Sequence, residues 1–314
     1  SMCLEAQFES VRTLKGCEYA HILRPGYAIE YDFVDPTQLY PWLETKTISN
    51  LFLAGQINGT SGYEEAGAQG LVAGINAALR ARGSEPMVLR RDQAYIGVLI
   101  DDLVTKGTRE PYRMLTSRCE YRLLLRHDNA DMRLSAVGRE VGLLSDSEWD
   151  TLNLRWRAME KEAERIRNIK IPPTEKVNQI LLGADSSPLA EGISAIDLLK
   201  RPEIDWDIIS EITESPLEKE LGKRISVSVK YEGYIDRQMR QVEKFGRMER
   251  LKFPEGFNFS DVAGLSAEGR QKLVRFMPQT LGQASRISGI PPTDIQLLWV
   301  AVENNRRSRG DPDD

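Results

Sequence analysis

Residues 51–79, Leu51-Phe-Leu-Ala-Gly-Gln-Ile-Asn-Gly-Thr-Ser-Gly-Tyr-Glu-Glu-Ala-Gly-Ala-Gln-Gly-Leu-Val-Ala-Gly-Ile-Asn-Ala-Ala-Leu79, limit the possible folds more than any other stretch. They read as a short apolar strand over 51–54, a glycine-studded turn and a helix from about Glu64. Gly55 ends the strand, and Gly59 and Gly62 permit backbone conformations closed to other residues. Ala66, Gly67, Ala68, Gly70, Ala73 and Gly74 are too small to fill a core, so the helix predicts a close neighbour. The partly positive N-terminus of such a helix favours an electron-rich ligand edge. Tight helix-on-sheet packing without a ligand is the competing reading, because strand–glycine–helix units are common.

The remaining β signals also lie within residues 1–85. Pro25-Gly26 followed by the alternating Tyr27-Ala-Ile-Glu-Tyr31 predicts a turn and a strand. Beyond Pro86 the pattern is helical. Ile96, Leu99, Ile100, Leu103 and Val104 share one face of a helix over 92–104. Ser145 and Glu148 form a capping box that opens a helix through Trp149, Leu152, Trp156 and Met159 to about Asn168. Pro172-Pro173 breaks it, and a short helix runs from Thr174 to Gly183. Short helices follow around 196–199 and 206–212. Residues 218–250 read as one long polar helix, although Gly222 and Gly233 each cost about 1 kcal/mol relative to alanine. Helices over 267–276, 281–288 and 293–305 complete the chain, and the tail 306–314 is expected to be disordered. The expected fold is mainly α, an α/β piece over 1–85 followed by helical parts over 86–215 and 216–314.

Composition narrows the class. Of 314 residues, 41% are hydrophobic and 28% charged, ordinary for a globular domain. No apolar run approaches the roughly 20 residues of a membrane span. Cys3, Cys17 and Cys119 have no paired spacing, which argues against a disulfide framework and structural zinc and for a reducing, cytoplasmic setting. The net charge of −5 hides an uneven distribution. Residues 106–133 hold seven bases against four acids, whereas 185–220 hold ten acids against three bases. For a polyanionic partner the local sign matters more than the sum.

That basic stretch is the second informative feature. If residues 117–126 are helical, Arg118, Arg122 and Arg126 share one face, preceded by Lys106, Arg109 and Arg113. Guanidinium forks suit phosphates, and the interleaved Tyr112 and Tyr121 suit unpaired bases. A solvated helix face, with Glu110, Glu120 and Asp128 pairing the arginines, is the alternative. Near the C-terminus, 281–289 and 290–295 resemble a helix–turn–helix, but a second helix exposing Asp294, Gln296 and Glu303 is unsuited to a DNA groove. A small bundle or a protein-docking face fits better. His21 and His127 lack the partners of a catalytic arrangement. Glu64-Glu65 and Asp101-Asp102 read as capping or solvated acids, and no residue is singled out as catalytic or metal-ligating. Arginine neighbours could lower the Cys119 thiol pKa, but all three cysteines are read as incidental.

The string Gly55-Gln56-Ile-Asn58-Gly59-Thr-Ser-Gly62-Tyr63-Glu64-Glu65 resembles the second flavin-binding segment of the GidA/MnmG family, FAD-dependent enzymes that modify the wobble uridine of tRNA. The likeness extends through Arg24-Pro-Gly-Tyr-Ala-Ile-Glu-Tyr-Asp32, Gly107-Thr-Arg-Glu-Pro-Tyr-Arg113, Thr116-Ser-Arg-Cys-Glu-Tyr-Arg122, Lys230-Tyr-Glu-Gly-Tyr-Ile235 and Leu281-Gly-Gln-Ala-Ser-Arg-Ile-Ser-Gly-Ile290. It therefore covers nearly the whole chain. No Gly-x-Gly-x-x-Gly is present, although a dinucleotide site needs that turn. With Ser1-Met2 read as an artificial start, the expectation is the C-terminal half of a larger protein, a remnant of an FAD-binding domain joined to a helical domain. The resemblance implies FAD reduced by NADH, with Gly55, Gln56, Asn58, Gly59, Gly62, Tyr63 and Glu64 along the flavin. It also implies tRNA held by the 106–133 face, with Arg113, Arg118 and Arg122 on the anticodon arm. The GTPase MnmE as partner of the terminal bundle, and a homodimer when intact, are further implications. The rivals are a folate-dependent tRNA methyltransferase relative, which lacks so long a helical extension, and a stand-alone RNA- or protein-binding module.

Overall fold

Local chemistry sets most helix starts. The structure, a computed structural model, describes residues 2–254 and 256–309, except the side chains of 244, 245, 247, 249, 250 and 306–309. The chain opens with α1 (Leu4–Arg12), then passes through an extended stretch and short 3-10 turns at Pro36–Gln38 and Gly55–Asn58. It continues through α2 (Tyr63–Ala81), α3 (Tyr95–Lys106), α4 (Ala130–Glu140) and α5 (Asp146–Asn168). Next come β1 (Lys170–Ile171), α6 (Glu175–Gly183), β2 (Ile193–Ser194), α7 (Ala195–Leu199), α8 (Trp206–Thr213) and the long α9 (Lys219–Arg250). The last helices are α10 (Ala267–Phe276), α11 (Leu281–Arg286) and α12 (Pro292–Arg309). The fold is mainly α, as expected. β1 and β2 form one antiparallel pair, Lys170 opposite Ser194 and Ile171 opposite Ile193.

At α5 the Ser145 side chain accepts from the Glu148 N–H, and the Glu148 carboxylate accepts from the Ser145 N–H at 2.9 Å. Thr174, Ser194, Asp205, Ser266 and Thr280 cap α6, α7, α8, α10 and α11 through their side chains. Such caps satisfy donors that a helix start otherwise leaves open.

Apolar burial gathers around separate centres. One core joins α5 to α9 and is built on Trp206, Ile166, Leu181, Leu198, Ile209 and Ile225. The Trp206 indole occupies the space a Cβ on Gly222 would need, which explains a glycine inside α9. A terminal core packs Leu273, Leu281, Ala284, Leu298 and Val302. A third gathers Leu39, Leu43, Val72, Leu99, Leu103 and Tyr112 beneath the glycine turn.

Four expectations need correction. Residues 51–54 are not a strand: Phe52 makes only an isolated bridge to Glu44, and Leu51 is exposed. Residues 27–31 likewise belong to no strand and are exposed. A strand is completed by a neighbour's ladder; residues 43–45 give 51–53 only two backbone bonds, Thr45 N–H to the Leu51 carbonyl at 2.8 Å and Leu53 N–H to the Leu43 carbonyl at 3.1 Å. Residues 117–126 are not an α-helix but a 3-10 turn, Thr116–Arg118, followed by turns. Long-range bonds replace helical ones there: Gln238 accepts from the Leu124 N–H at 3.2 Å and donates to the Glu120 carbonyl at 3.1 Å. Finally, α12 continues through Arg309, so 306–309 are helical rather than disordered, while 310–314 lie outside the described residues.

Candidate cofactor wall and nucleic-acid interface

Gln69 organises the glycine turn from inside α2. Its side-chain carbonyl accepts from the Gly55 N–H at 3.1 Å and from Asn58 Nδ2 at 2.9 Å. Its amide donates to Thr60 Oγ1 at 2.9 Å, and that hydroxyl donates to the Gly55 carbonyl at 2.9 Å. Asn58 also donates to the Leu53 carbonyl at 2.8 Å. All three side chains are buried, so the turn is held by a polar net shielded from water. Gly55 and Gly59 adopt φ of 85° and 83°, and a side chain on Gly59 would meet Phe33 and Thr108.

Gly62 starts α2 without a capping side chain, and the Glu65 carboxylate fills the place of its missing Cβ. The N–H groups of Tyr63 and Glu64 thus have no side-chain cap, in a stretch where Gln56, Ser61, Tyr63 and Glu64 are exposed. Two buried acceptors, Asn58 Oδ1 and Glu65 Oε2, have no hydrogen-bond partner among the described residues. Each orphaned acceptor costs about 1–3 kcal/mol. Uncapped donors therefore lie at the start of α2, with the two orphaned acceptors buried beneath them.

The basic segment lies directly against that turn. The Tyr112 N–H donates to the Gly59 carbonyl at 2.7 Å, within a parallel bridge between Thr60 and Tyr112. Glu65 Oε1 accepts from the Met114 N–H at 2.9 Å and from Arg113 Nε at 3.3 Å. The Met114 N–H is the main cause holding the Glu65 carboxyl below the usual carboxylate range, against the opposing effect of burial. The Arg118 guanidinium stacks 4.5 Å over the Tyr112 ring.

Beneath Tyr112 runs an ion network, buried at Arg91, Asp101 and Asp102 and exposed at Lys106 and Glu120, that links three parts of the chain. The Tyr112 hydroxyl donates to Asp102 Oδ2 at 2.9 Å, and Lys106 Nζ to Asp102 Oδ1 at 2.6 Å. Arg91 reaches Asp102 at 2.8 Å and Asp101 at 3.0 Å, and forks onto Glu120 at 2.7 and 2.8 Å. Arg286 on α11 forks onto Asp101, both bonds at 2.7 Å. Burial pushes the Asp102 carboxyl up, but Arg91, Lys106 and Tyr112 outweigh it and the net shift is downward. Glu120 behaves alike, with burial opposed mainly by Arg91. Burial and the Asp102 charge raise the Tyr112 hydroxyl, which stays a donor.

Placement of the expected residues is uneven. Gly55, Asn58 and Gly62 are buried supports of the turn; Gln56, Tyr63 and Glu64 are exposed, Tyr63 by 95%. Arg109, Arg113, Arg118 and Arg122 are exposed, and Arg109 and Arg122 have no ion pair among the described residues. Lys106 is tied to Asp102. Arg126 is half-buried and committed to Asp128 and the Leu123 carbonyl, so it does not join the outer arginines.

Asp101 and Asp102 are not solvated acids, and Glu120 pairs with Arg91 rather than with its neighbours. Asp294, read as exposed, is buried and accepts from the N–H and hydroxyl of Ser266; Glu303 is half-buried. Burial pushes the Cys119 thiol up, not down. Sequence reasoning missed Gln69, Arg91 and Arg286. Only the position of Gln69, which with Glu65 and Asn76 is polar on the buried face of a small-residue helix, could have signalled its part.

The molecule is thus a mainly helical body in which an uncapped glycine turn lies directly against a basic segment. Three family descriptions match: "Glucose inhibited division protein A" over residues 1–85, "tRNA modifying enzyme MnmG/GidA C-terminal helical domain" over 146–239, and "tRNA modifying enzyme MnmG/GidA C-terminal helical bundle" over 241–313. The chain is 53% identical over 304 residues to the tRNA uridine 5-carboxymethylaminomethyl modification enzyme MnmG of Listeria innocua, covering 96% of this chain and 48% of that one. The same-named protein of Exiguobacterium sibiricum is 51% identical over 304 residues, covering 96% and 48%. The form II crystal structure of Aquifex aeolicus GidA superposes with a TM-score of 0.79 at 44% identity, covering 95% of this chain and 47% of that one. The chain belongs to the GidA/MnmG family. It spans about half the length of the curated relatives it matches. Among the described residues no helix is long and apolar enough to cross a membrane.

Proposed function

We propose that this chain is the C-terminal part of an FAD-dependent enzyme that modifies C5 of the wobble uridine of tRNA, in the cytoplasm. In this reading it holds one edge of the flavin and the anticodon arm. One observation carries it: Glu65 and Gly59 bond the glycine turn directly to Arg113, Met114 and Tyr112, so a ligand on the turn and an RNA on the arginines share one support. A flavin ring edge has carbonyl acceptors, which suit the uncapped Tyr63 and Glu64 N–H groups. When bound, FAD supplies the redox chemistry, with NADH as reductant. The chain's own contribution is preorganisation. Gln69 and Thr60 fix the turn, Gln56 offers an exposed amide, and the start of α2 favours negative charge beside it. Arg109, Arg113, Arg118 and Arg122 supply phosphate contacts.

The division into 1–85, 86–215 and 216–314 belongs to this proposal. So does docking of the GTPase MnmE on the terminal bundle, where Trp299 and Val300 stand 42% and 58% exposed. Homodimerisation of the intact protein is included as well. The test is tRNA binding across a salt series. Arg118→Ala with Arg122→Ala flattens the slope by about one unit per lost phosphate contact. A variant with the parental slope overturns the interface. Flavin absorbance of the purified chain is expected to be weak, since the chain provides one wall; a stoichiometric yellow protein contradicts that division.

A further inference from the structure

We propose that the flank of α9 bearing Tyr231, Tyr234 and Arg237 is a stacking platform for unpaired RNA bases, continuous with the Arg118–Arg122 segment. The inference rests on the tRNA reading above and extends it to residues that reading does not use. Two contacts fix α9 beside the basic segment. Gln238 bonds to Glu120 and Leu124, two residues before and two residues after Arg122. Arg224 pairs with Asp131 of α4 at 2.9 Å, about 21 Å earlier along the helix axis. Tyr231 lies midway between those contacts, seven residues from each, and so on the same face.

Tyr231 and Tyr234 are 42% and 56% exposed, large values for aromatic rings held on a regular helix. Their centroids stand 6.4 Å apart, and the Arg237 guanidinium lies 5.6 Å over the Tyr234 ring. Charge is segregated around this part of α9. At about 100° per residue, Lys230, Tyr234 and Arg237 fall on one flank, and Glu232, Asp236 and Glu243 on the opposite one. Lys230 donates to the Pro202 carbonyl at 3.0 Å. Between the tyrosines sits Gly233, a residue that weakens a helix by about 1 kcal/mol, and no heavy atom lies within 4 Å of where its Cβ would be. Unlike Gly222, it has no packing reason inside the chain. Exposed rings interleaved with cations, with the acids turned away, suit stacked bases and their phosphates.

The test uses the full 314-residue chain, a wobble-uridine tRNA and an RNA duplex of similar length. Tyr231→Ala with Tyr234→Ala is expected to weaken tRNA binding about tenfold, leaving duplex binding, the salt slope and the melting temperature at parental values. Tyr231→Phe with Tyr234→Phe keeps the ring faces and restores affinity. Equal losses for tRNA and duplex overturn stacking. Parental tRNA affinity in the alanine pair, with the Arg118/Arg122 variant impaired, defeats the platform and leaves the functional reading standing. So does intact RNA binding with loss of a protein partner. A parent chain that binds no tRNA defeats both.

Discussion

Gly222 and Gly74 both sit inside helices, and they mark two kinds of surface. On α9 the Trp206 indole fills the place of a Gly222 side chain, within a core where Trp206, Ile204 and Ile209 are at most 1% exposed. On α2, Gly67, Gly70 and Gly74 have no heavy atom within 4 Å of a would-be Cβ, and Tyr63 and Leu71 stand 95% and 53% exposed. The body around Trp206 has spent its glycine on a partner within the chain. The α2 region keeps open glycines, uncapped helix donors and orphaned acceptors. The same residue type thus reads as packing in one place and as an accessible surface in the other, and only the three-dimensional neighbours tell them apart.

Trp206→Ala breaks the comparison hardest. It should destabilise the helical body by about 3–5 kcal/mol in denaturant unfolding, the range for emptying a large buried aromatic site. A loss under 1 kcal/mol would mean the core is not as closed as described. Arg91→Ala comes next, because it leaves Asp101, Asp102 and Glu120 around a missing cation. Breaking one partner of a buried ion group costs about 3–5 kcal/mol, readable as a lower urea midpoint.

The same network sets an acid limit. The Asp102 and Glu120 carboxyls lie below their ordinary values in the folded protein. Their stabilisation is therefore present above the ordinary carboxylate range, near pH 4, and is lost as pH falls through and below it. Urea midpoints should drop between about pH 5 and pH 3, and less steeply in the Arg91→Ala protein; equal slopes would remove the network from the account. Gln69→Leu should cost about 1–3 kcal/mol by leaving the Gly55, Asn58 and Thr60 groups unpaired. The smallest effect is Gly74→Ala, neutral or stabilising by up to about 1 kcal/mol, since the added methyl meets open space. A loss of several kcal/mol there would contradict the open face.

What could be read from the sequence follows the range of the forces involved. The α5 capping box and the Thr174 start of α6 were legible because each depends on residues three apart. The glycine turn was legible for the same reason. Residues 51–54 and 27–31 looked like strands because alternation and apolar runs are local, whereas a ladder needs a neighbour. The 117–126 segment looked helical by its arginine spacing, yet Gln238, 114 and 118 residues away, takes its backbone groups. Asp101 passed for a solvated acid because its partner Arg286 is 185 residues distant. Gln69 was invisible as a turn organiser because its role depends on the turn folding back over α2.

The central claim is that the glycine turn and the arginine segment act as one unit through Glu65, and tRNA affinity of the Glu65→Ala protein tests it most directly. By charge alone, removing an acid beside Arg113 tightens binding of a polyanion. Weaker binding is expected, because Arg113 and Met114 lose the carboxylate that positions them. Affinity equal to or above that of the parent would contradict it.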